Sequence, residues 1–439
     1  MTMRTWRWII PPLLGLTLGG DAFAASLADT VRETIESNPD ILIAGSERDS
    51  VEQQMKQARG GFFPQVDITA GAGWETSDNP TTRTAGDGSR NLSRQEAEIR
   101  IRQLLFDGFG TKSEFERQRA RVNSQAYDTF TTAEAVGLKA VEAYLNVISE
   151  QKLVQLATEN LKSHQETYDR IVKRDERGVS SKADVQQSLG RLALARTNLM
   201  AEQNRLRDAR STFRNIVGHD PANLTEPAAP AHLLPATLDE ATAIAVENHP
   251  RLKSADADIE AARQQHSAAN ALFFPRIDLE IKGSNNDNLD GIRGSNNDAE
   301  VMVRGQYKLT GGSDTAKRKE SVFRLQQARE LHERTYRQVV EEIQLSWNAY
   351  ETAKTQLVHF KVYEDASKQA LMAYRKQFNI GQRTLLDLLD QENEVFQASI
   401  NYINGLNDLI FSAYRILAGT GKLLWACEVK PPQQVDTIQ

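Results

Sequence analysis

The residues of this chain best placed to do chemistry lie in 378-FNIGQRTLLDLLD-390. Arg383, Asp387 and Asp390 stand at i, i+4 and i+7, so at about 100° per residue a continuous helix would stack them on one face, opposite Leu385, Leu388 and Leu389. Glu394, Gln397 and Asn401 continue that polar face, with Leu388, Leu389, Val395, Phe396 and Ile403 behind it. A solvated outer face is the ordinary reading of such a stripe, and the wall of a water-filled passage is the special one. In the second reading the chemistry is electrostatic. Repeated around a ring, Asp387 and Asp390 would attract cations, disfavour anions and raise some of their own pKa values by mutual repulsion.

Bond-making chemistry has little to work with. His164, His219, His232, His249, His266, His332 and His359 are scattered without metal-ligand spacing, and there is no H-E-x-x-H. No P-loop is present, so any energy must come from a partner. Methionines are few and unclustered after the first residues, which argues against a copper or silver exporter. The short 108-GFG-110 and the paired GSNND stretches at 283–287 and 294–298 read as turns. The sequence therefore predicts neither an enzyme nor a cofactor.

The elements that must position the charged face are legible from the N-terminus onward. Arg4 and Arg7 precede an apolar run from Ile9 to Leu18 and a small-residue site, 22-AFA-24, which reads as a signal peptide over 1–24. Without its two Arg and one Asp, 51 of the chain's 53 basic and 58 of its 59 acidic residues remain, a net charge of about −7 that excludes an obvious nucleic-acid partner. The single cysteine, Cys427, permits no intrachain disulfide and leaves no acceptor for a lipoprotein anchor after the signal region. No later apolar run reaches the roughly 18 residues of a spanning helix, so a membrane crossing would have to be a β-barrel.

The remainder is written twice. Residues 27–68 align without a gap to 238–279 at an offset of 211, matching Leu27/Leu238, Pro39/Pro250, Phe62-Phe63-Pro64/Phe273-Phe274-Pro275 and Asp67/Asp278. Further on the offset becomes 203, pairing Gly108/Gly311, Gly178/Gly381, Asp184/Asp387 and Asn204/Asn407. The two repeats span 25–218 and 238–421, joined by a proline-rich strap at 219–237 and followed by a tail, 422–439, expected to be disordered or loosely docked. Each repeat begins with helix interrupted by proline. Period-two strands follow, forming hairpins over about 64–105 and 275–309, the first with a polar loop at 76–94. Then come about 65 helical residues, roughly 100 Å long, a stop at Gly178 or Gly381, and a returning helix of about 35 residues. Helices of that length must coil against neighbours.

Four strands with one apolar face do not close a barrel that encloses space, which takes about eight, so the chain must assemble. Strands alternating between apolar and charged residues fit lipid outside and water inside, with Phe62, Phe63, Trp74, Phe106, Phe273, Phe274 and Tyr307 as interfacial aromatics. A soluble sandwich is the bland alternative for the strands alone; the signal peptide and the long helices favour the membrane.

With FFP before the first strand of each repeat and LFDGFG or LTGGSD after the second, this organisation resembles the TolC family of outer membrane channels. The resemblance implies a mainly α fold with a β-barrel segment. Three protomers would give a 12-stranded barrel in the outer membrane, four strands each, continuing into a periplasmic α-helical coiled-coil tunnel. It further implies a periplasmic constriction at the helix turns. The family pattern, an aromatic followed by G-x-R-x-x-x-D-x-x-D, is met by Phe378, Gly381, Arg383, Asp387 and Asp390, and the first-repeat aspartate falls on Asp184. Arg383 would lock to Asp184 across or within protomers. Phe378 replaces the tyrosine of the family's best-known gate, so one hydroxyl bond is missing. Ser181-x-x-Asp184 and Thr384-x-x-Asp387 also read as capping boxes, a role compatible with gating. The turns at Gly178 and Gly381 would dock a periplasmic adaptor fed by an inner membrane ABC transporter, making the protein the exit duct of a type I secretion system. The alternatives are a drug or small-molecule efflux duct behind a proton-driven pump and, more remotely, a periplasmic coiled-coil scaffold without a pore.

Overall fold

The computed structural model describes residues 26–86 and 88–438, so the expected signal peptide at 1–24 lies outside the described residues. The chain starts with α1 (Leu27–Ser37) and α2 (Pro39–Gly60), and the break between them has a local cause. Asn38 caps α2 by accepting from the Asp40 amide, and Pro39 occupies the first helical position, where it has no N–H to waste. Next come β1 (Gln65–Ser77), a short α3 (Pro80–Thr84) and β2 (Arg90–Phe106). The loop expected at 76–94 is therefore shorter than its composition suggests: Ser77 pairs with Arg90, and the residues between them wind around an Asn79 capping box.

Beyond the sheet run α4 (Gly110–Glu176) and α5 (Lys182–Val217). The second repeat supplies α6 (Leu238–Asn248), α7 (Pro250–Ala271), β3 (Arg276–Asp287), β4 (Ser295–Gln306), α8 (Ser313–Asn379) and α9 (Leu385–Gly419), then α10 (Leu423–Ala426). Helices α4 and α8 are each 67 residues, about 100 Å at 1.5 Å per residue. Among the described residues no helix is long and apolar enough to cross a membrane.

The four strands form one antiparallel sheet in the order β1-β2-β3-β4, leaving β1 and β4 as free edges. The sheet stands at one end of the long helices and the two helix turns at the other. The main core lies part-way along α4, where Val136, Ala140, Val141, Tyr144 and Val147 meet Val31 and Ile35 of α1, Phe213 and Val217 of α5, and Ile410 and Leu417 of α9.

The tail is not loose. Leu423 and Leu424 are fully buried in that core, and the Glu134 carboxylate accepts both of their amides, at 3.0 and 3.2 Å. Further out, Ile438 and Asn123 exchange two hydrogen bonds, at 2.7 and 3.1 Å. Its proline and polar composition hid the apolar Leu423-Leu424 anchor that drives the docking.

Candidate functional site: helix tips and barrel faces

Both tips are built on the same plan. Helix α4 ends with Gly178 at φ +72°, its amide donating to Asp175 at 2.8 Å while the Val179 amide donates to Arg174 at 2.8 Å. Helix α8 ends with Gly381 at φ +78°, where the Gly381 and Gln382 amides donate to Phe378 and Gln377 at 3.1 and 2.9 Å. This paired bonding satisfies carbonyls that the helix end leaves free, and it needs a left-handed residue that glycine supplies without strain. The return helices then open on reciprocal capping boxes. The Asp184 amide donates to the Ser181 hydroxyl and the Ser181 amide to the Asp184 carboxylate, both at 3.1 Å. Thr384 and Asp387 repeat this at 3.1 and 3.2 Å.

These caps settle what the aspartates experience. The Ser181 amide, then its hydroxyl, holds Asp184 below the usual carboxylate range, and the Thr384 hydroxyl, then its amide, does the same for Asp387. Within the protomer that is opposite to the rise expected from a repelling ring.

Arg383, Phe378 and Asp390 each have partners within the protomer that spacing alone does not show. Arg383 precedes the Thr384 cap and sits in the turn, so it is not on the helical face of Asp387 and Asp390. Its guanidinium lies 4.1 Å from the centre of the Tyr374 ring and donates to Gln377 at 3.1 Å, and no ion pair joins it to Asp184 within the protomer. Phe378 is buried with Ile171, Leu385, Leu388 and Leu389 in a small tip core, and the Arg174 guanidinium lies 5.0 Å from its ring centre. Asp390 is exposed as expected but is not free: Arg191 of α5 donates to it at 2.6 Å, linking the first hairpin to the second.

A deeper polar node was not anticipated. The Glu392 side chain is only 2% exposed, and one carboxylate oxygen accepts from Ser163 at 2.9 Å and Arg375 at 3.0 Å. Its second oxygen lies 3.4 Å from Nδ1 of buried His164. Burial pushes the His164 pKa down, helped by Arg191 and Arg375 and opposed by Glu392. The node ties α4 to α8 and α9 beside a groove of about 480 Å³. One signal was available: Glu392 sits four residues after Leu388 and four before Phe396, a charge inside the apolar stripe.

The strand register sorts the sheet into two faces. One carries Val66, Ile68 and Trp74 of β1, Ile99 and Ile101 of β2, Ile281 of β3, and Val301 and Val303 of β4. It is open, with Ile68 75% and Trp74 88% exposed. The other carries a charge ladder: Lys282–Glu98 at 3.3 Å, Arg102–Glu280 at 3.5 Å and Arg304–Glu280 at 2.8 Å. Phe62, Phe63, Phe273 and Phe274 stand where the helices meet β1 and β3, with Phe106 edge-on to Phe274 at 6.3 Å. From Phe63 to Trp74 the chain runs about 37 Å along the strand, or about 28 Å of membrane normal at a tilt near 40°. That matches the height of a lipid-facing band.

Residues 30–219 and 243–421 match the outer membrane efflux protein family. The chain belongs to that family. It is the family of the TolC channels, and the protein is accordingly an outer membrane exit channel of tripartite systems, with its helical tunnel in the periplasm, and not an enzyme. Its sequence is 26% identical over 349 residues to the outer membrane efflux protein BepC of Brucella suis biovar 1, covering 78% of this chain and 76% of BepC. It is 22% identical over 435 residues to the alkaline protease secretion protein AprF of Pseudomonas aeruginosa, covering 96% of this chain and 88% of AprF. The fold superposes on the Campylobacter jejuni CmeC outer membrane channel with a TM-score of 0.79 at 14% identity, over 96% of this chain and 94% of CmeC. Four barrel strands continuing into a tunnel of long helices is thus a TolC-like protomer.

Proposed function

We propose that three copies of this family member close a 12-stranded barrel and serve as the exit duct of a type I secretion system, passing a protein from an inner membrane ABC transporter and a periplasmic adaptor to the outside. The observation that carries the duct is the sheet itself. Its apolar face is open, its opposite face carries the charge ladder, and both edges are free. Edge pairing around a three-fold axis satisfies β1 and β4, turns the apolar face to lipid and leaves the ladder facing water. A scaffold without a pore offers no cover for Ile68, Trp74 and Val301.

At the far end, the turns at Gly178 and Gly381 present Val179 and Ile380 to an adaptor, both strongly exposed. The constriction comprises Asp184, Asp387 and Asp390, with Arg383 reaching Asp184 of a neighbouring copy and Phe378 acting from the tip core. The secretion reading is supported by the match to AprF, which runs nearly the length of the chain. The family description and BepC favour small-molecule efflux as the second reading.

Deleting the gene separates the two. Secretion predicts loss of a protein from the medium at unchanged drug sensitivity, whereas hypersensitivity with an intact secretome supports efflux. Purified protein in a planar bilayer should conduct cations, and Arg383→Glu should raise that conductance. An unchanged conductance in the variant removes Arg383 from the gate.

A further inference from the structure

The end of the sheet remote from the helices is not an open rim. The turn between β3 and β4, residues 288–294, reaches past β2 to touch β1, two strands away. A turn attached to β3 and β4 can do so only by folding across one face of the sheet, and its contacts show which. Gly291 packs against Ser77, and its carbonyl accepts from Arg90 at 3.3 Å. The Asp290 carboxylate lies 3.7 Å from Arg94, which also donates to Glu75 at 2.7 Å and pairs with Glu96. By register, Glu75, Ser77, Arg90, Arg94 and Glu96 all belong to the charged face. The turn between β1 and β2 joins from the same side. Asn79 donates to the Asp290 carbonyl at 2.8 Å, and Thr82, fully buried, abuts Gly291 so closely that a Cβ at 291 would stand 2.6 Å from its methyl group. Leu92, also on the charged face, is buried.

We infer that residues 288–294, tied to Asn79 and Thr82 of the first turn, form a lid over the luminal side of the barrel's outer end, a second constriction on the path of cargo, and that Arg94 is the residue that holds it in place. The inference rests on the assignment of the charged face to the lumen made above. Three lids, one per protomer, then converge on the axis at the external mouth. Arg94 suits the role because its planar guanidinium bridges Glu75 on the wall to Asp290 on the lid, and its side chain is about one-third exposed, open to disturbance by a passing charged chain. Asn79 adds a neutral tie between the two turns, so the lid moves as one piece.

The test uses full-length protein in a planar bilayer. Arg94→Ala should raise single-channel conductance above the wild-type level. The pair Asn79→Cys/Asp290→Cys, oxidised, should hold conductance at or below the wild-type level with fewer fluctuations, and dithiothreitol should release it. The native Cys427 is buried and does not compete. If wild type conducts but Arg94→Ala and the cross-link leave both conductance and fluctuations unchanged, or if the two cysteines fail to cross-link, the lid is refuted and the channel stands. If wild type gives no channels, both are refuted.

Discussion

Replacing Arg375 with methionine should loosen the join between the two helix hairpins by a predictable amount. In the native protein the Glu392 carboxylate, 2% exposed, holds Arg375 at 3.0 Å and Ser163 at 2.9 Å, beside a His164 whose pKa burial lowers. Without the guanidinium, a buried negative charge keeps one neutral donor. Removing one partner of a fully buried pair costs about 3–5 kcal/mol; Arg375 itself is 46% exposed, which brings the expectation to about 2–3 kcal/mol. At 1.36 kcal/mol per tenfold, local separation of α4 from α9 becomes roughly 30- to 150-fold more frequent. Hydrogen exchange in the intact protein reads this as faster exchange of the amides in 160–168 and 388–396, with α1 and its core unchanged. The double variant Arg375→Met/Glu392→Gln should recover most of the protection, because the neutral amide abolishes the stranded charge. Exchange accelerated less than about threefold in the single variant, or a double variant as open as the single, would refute the electrostatic reasoning and leave Arg375 as a packing residue.

Three further outcomes follow from the same geometry. Gly381→Ala meets no atom within 4 Å, so its cost is that of the left-handed backbone alone, about 1–2 kcal/mol, read as faster exchange confined to the second tip. Burial pushes Glu134 up to about 7 from an ordinary 4.5, against the two amides it accepts. A raised pKa contributes stability that is complete below the ordinary value and lost as pH climbs through the raised one, so about 3 kcal/mol should disappear between pH 4.5 and 7. Glu134→Gln should flatten that part of the thermal midpoint's pH profile, and an unchanged slope would exclude Glu134 as its source. Arg191→Ala should free Asp390 and shift the bilayer reversal potential toward greater cation selectivity, an effect that adding Asp390→Asn should cancel.

The fold was legible because its signals repeat. Period-two alternation in Val66, Ile68 and Ala70 and in their partners at 97–101 fixed a hairpin, and duplicated glycines and prolines fixed where helices stop and start. The capping boxes were legible for the same reason, since a hydroxyl residue followed three positions later by an acid is a purely local code. What failed was the step from spacing to contact. A constant 100° step puts Arg383 on the face of Asp387 and Asp390, whereas the helix begins only after Thr384. Phe378 closes a core against Leu388 and Leu389, a contact that its place three residues before a helix-stopping glycine does not announce. Arg191, the partner of Asp390, and Ser163, the neutral donor to Glu392, come from positions about 200 residues away, and no short-range pattern encodes which of them will arrive.

The matched lengths of α4 and α8 act as a shared ruler. From Gly108/Gly311 to Asn204/Asn407 the two repeats keep one constant offset, and the whole eight-residue mismatch between them is confined to the strand hairpins. Deleting one residue from only one long helix would lift its turn by about 1.5 Å and rotate everything beyond by about 100°, trading core residues for solvent-facing ones over the rest of its length. The periplasmic rim stays level only while both helices keep step. Differences in length between the repeats are absorbed at the opposite pole, in the strand hairpins, where they do not tilt the tube.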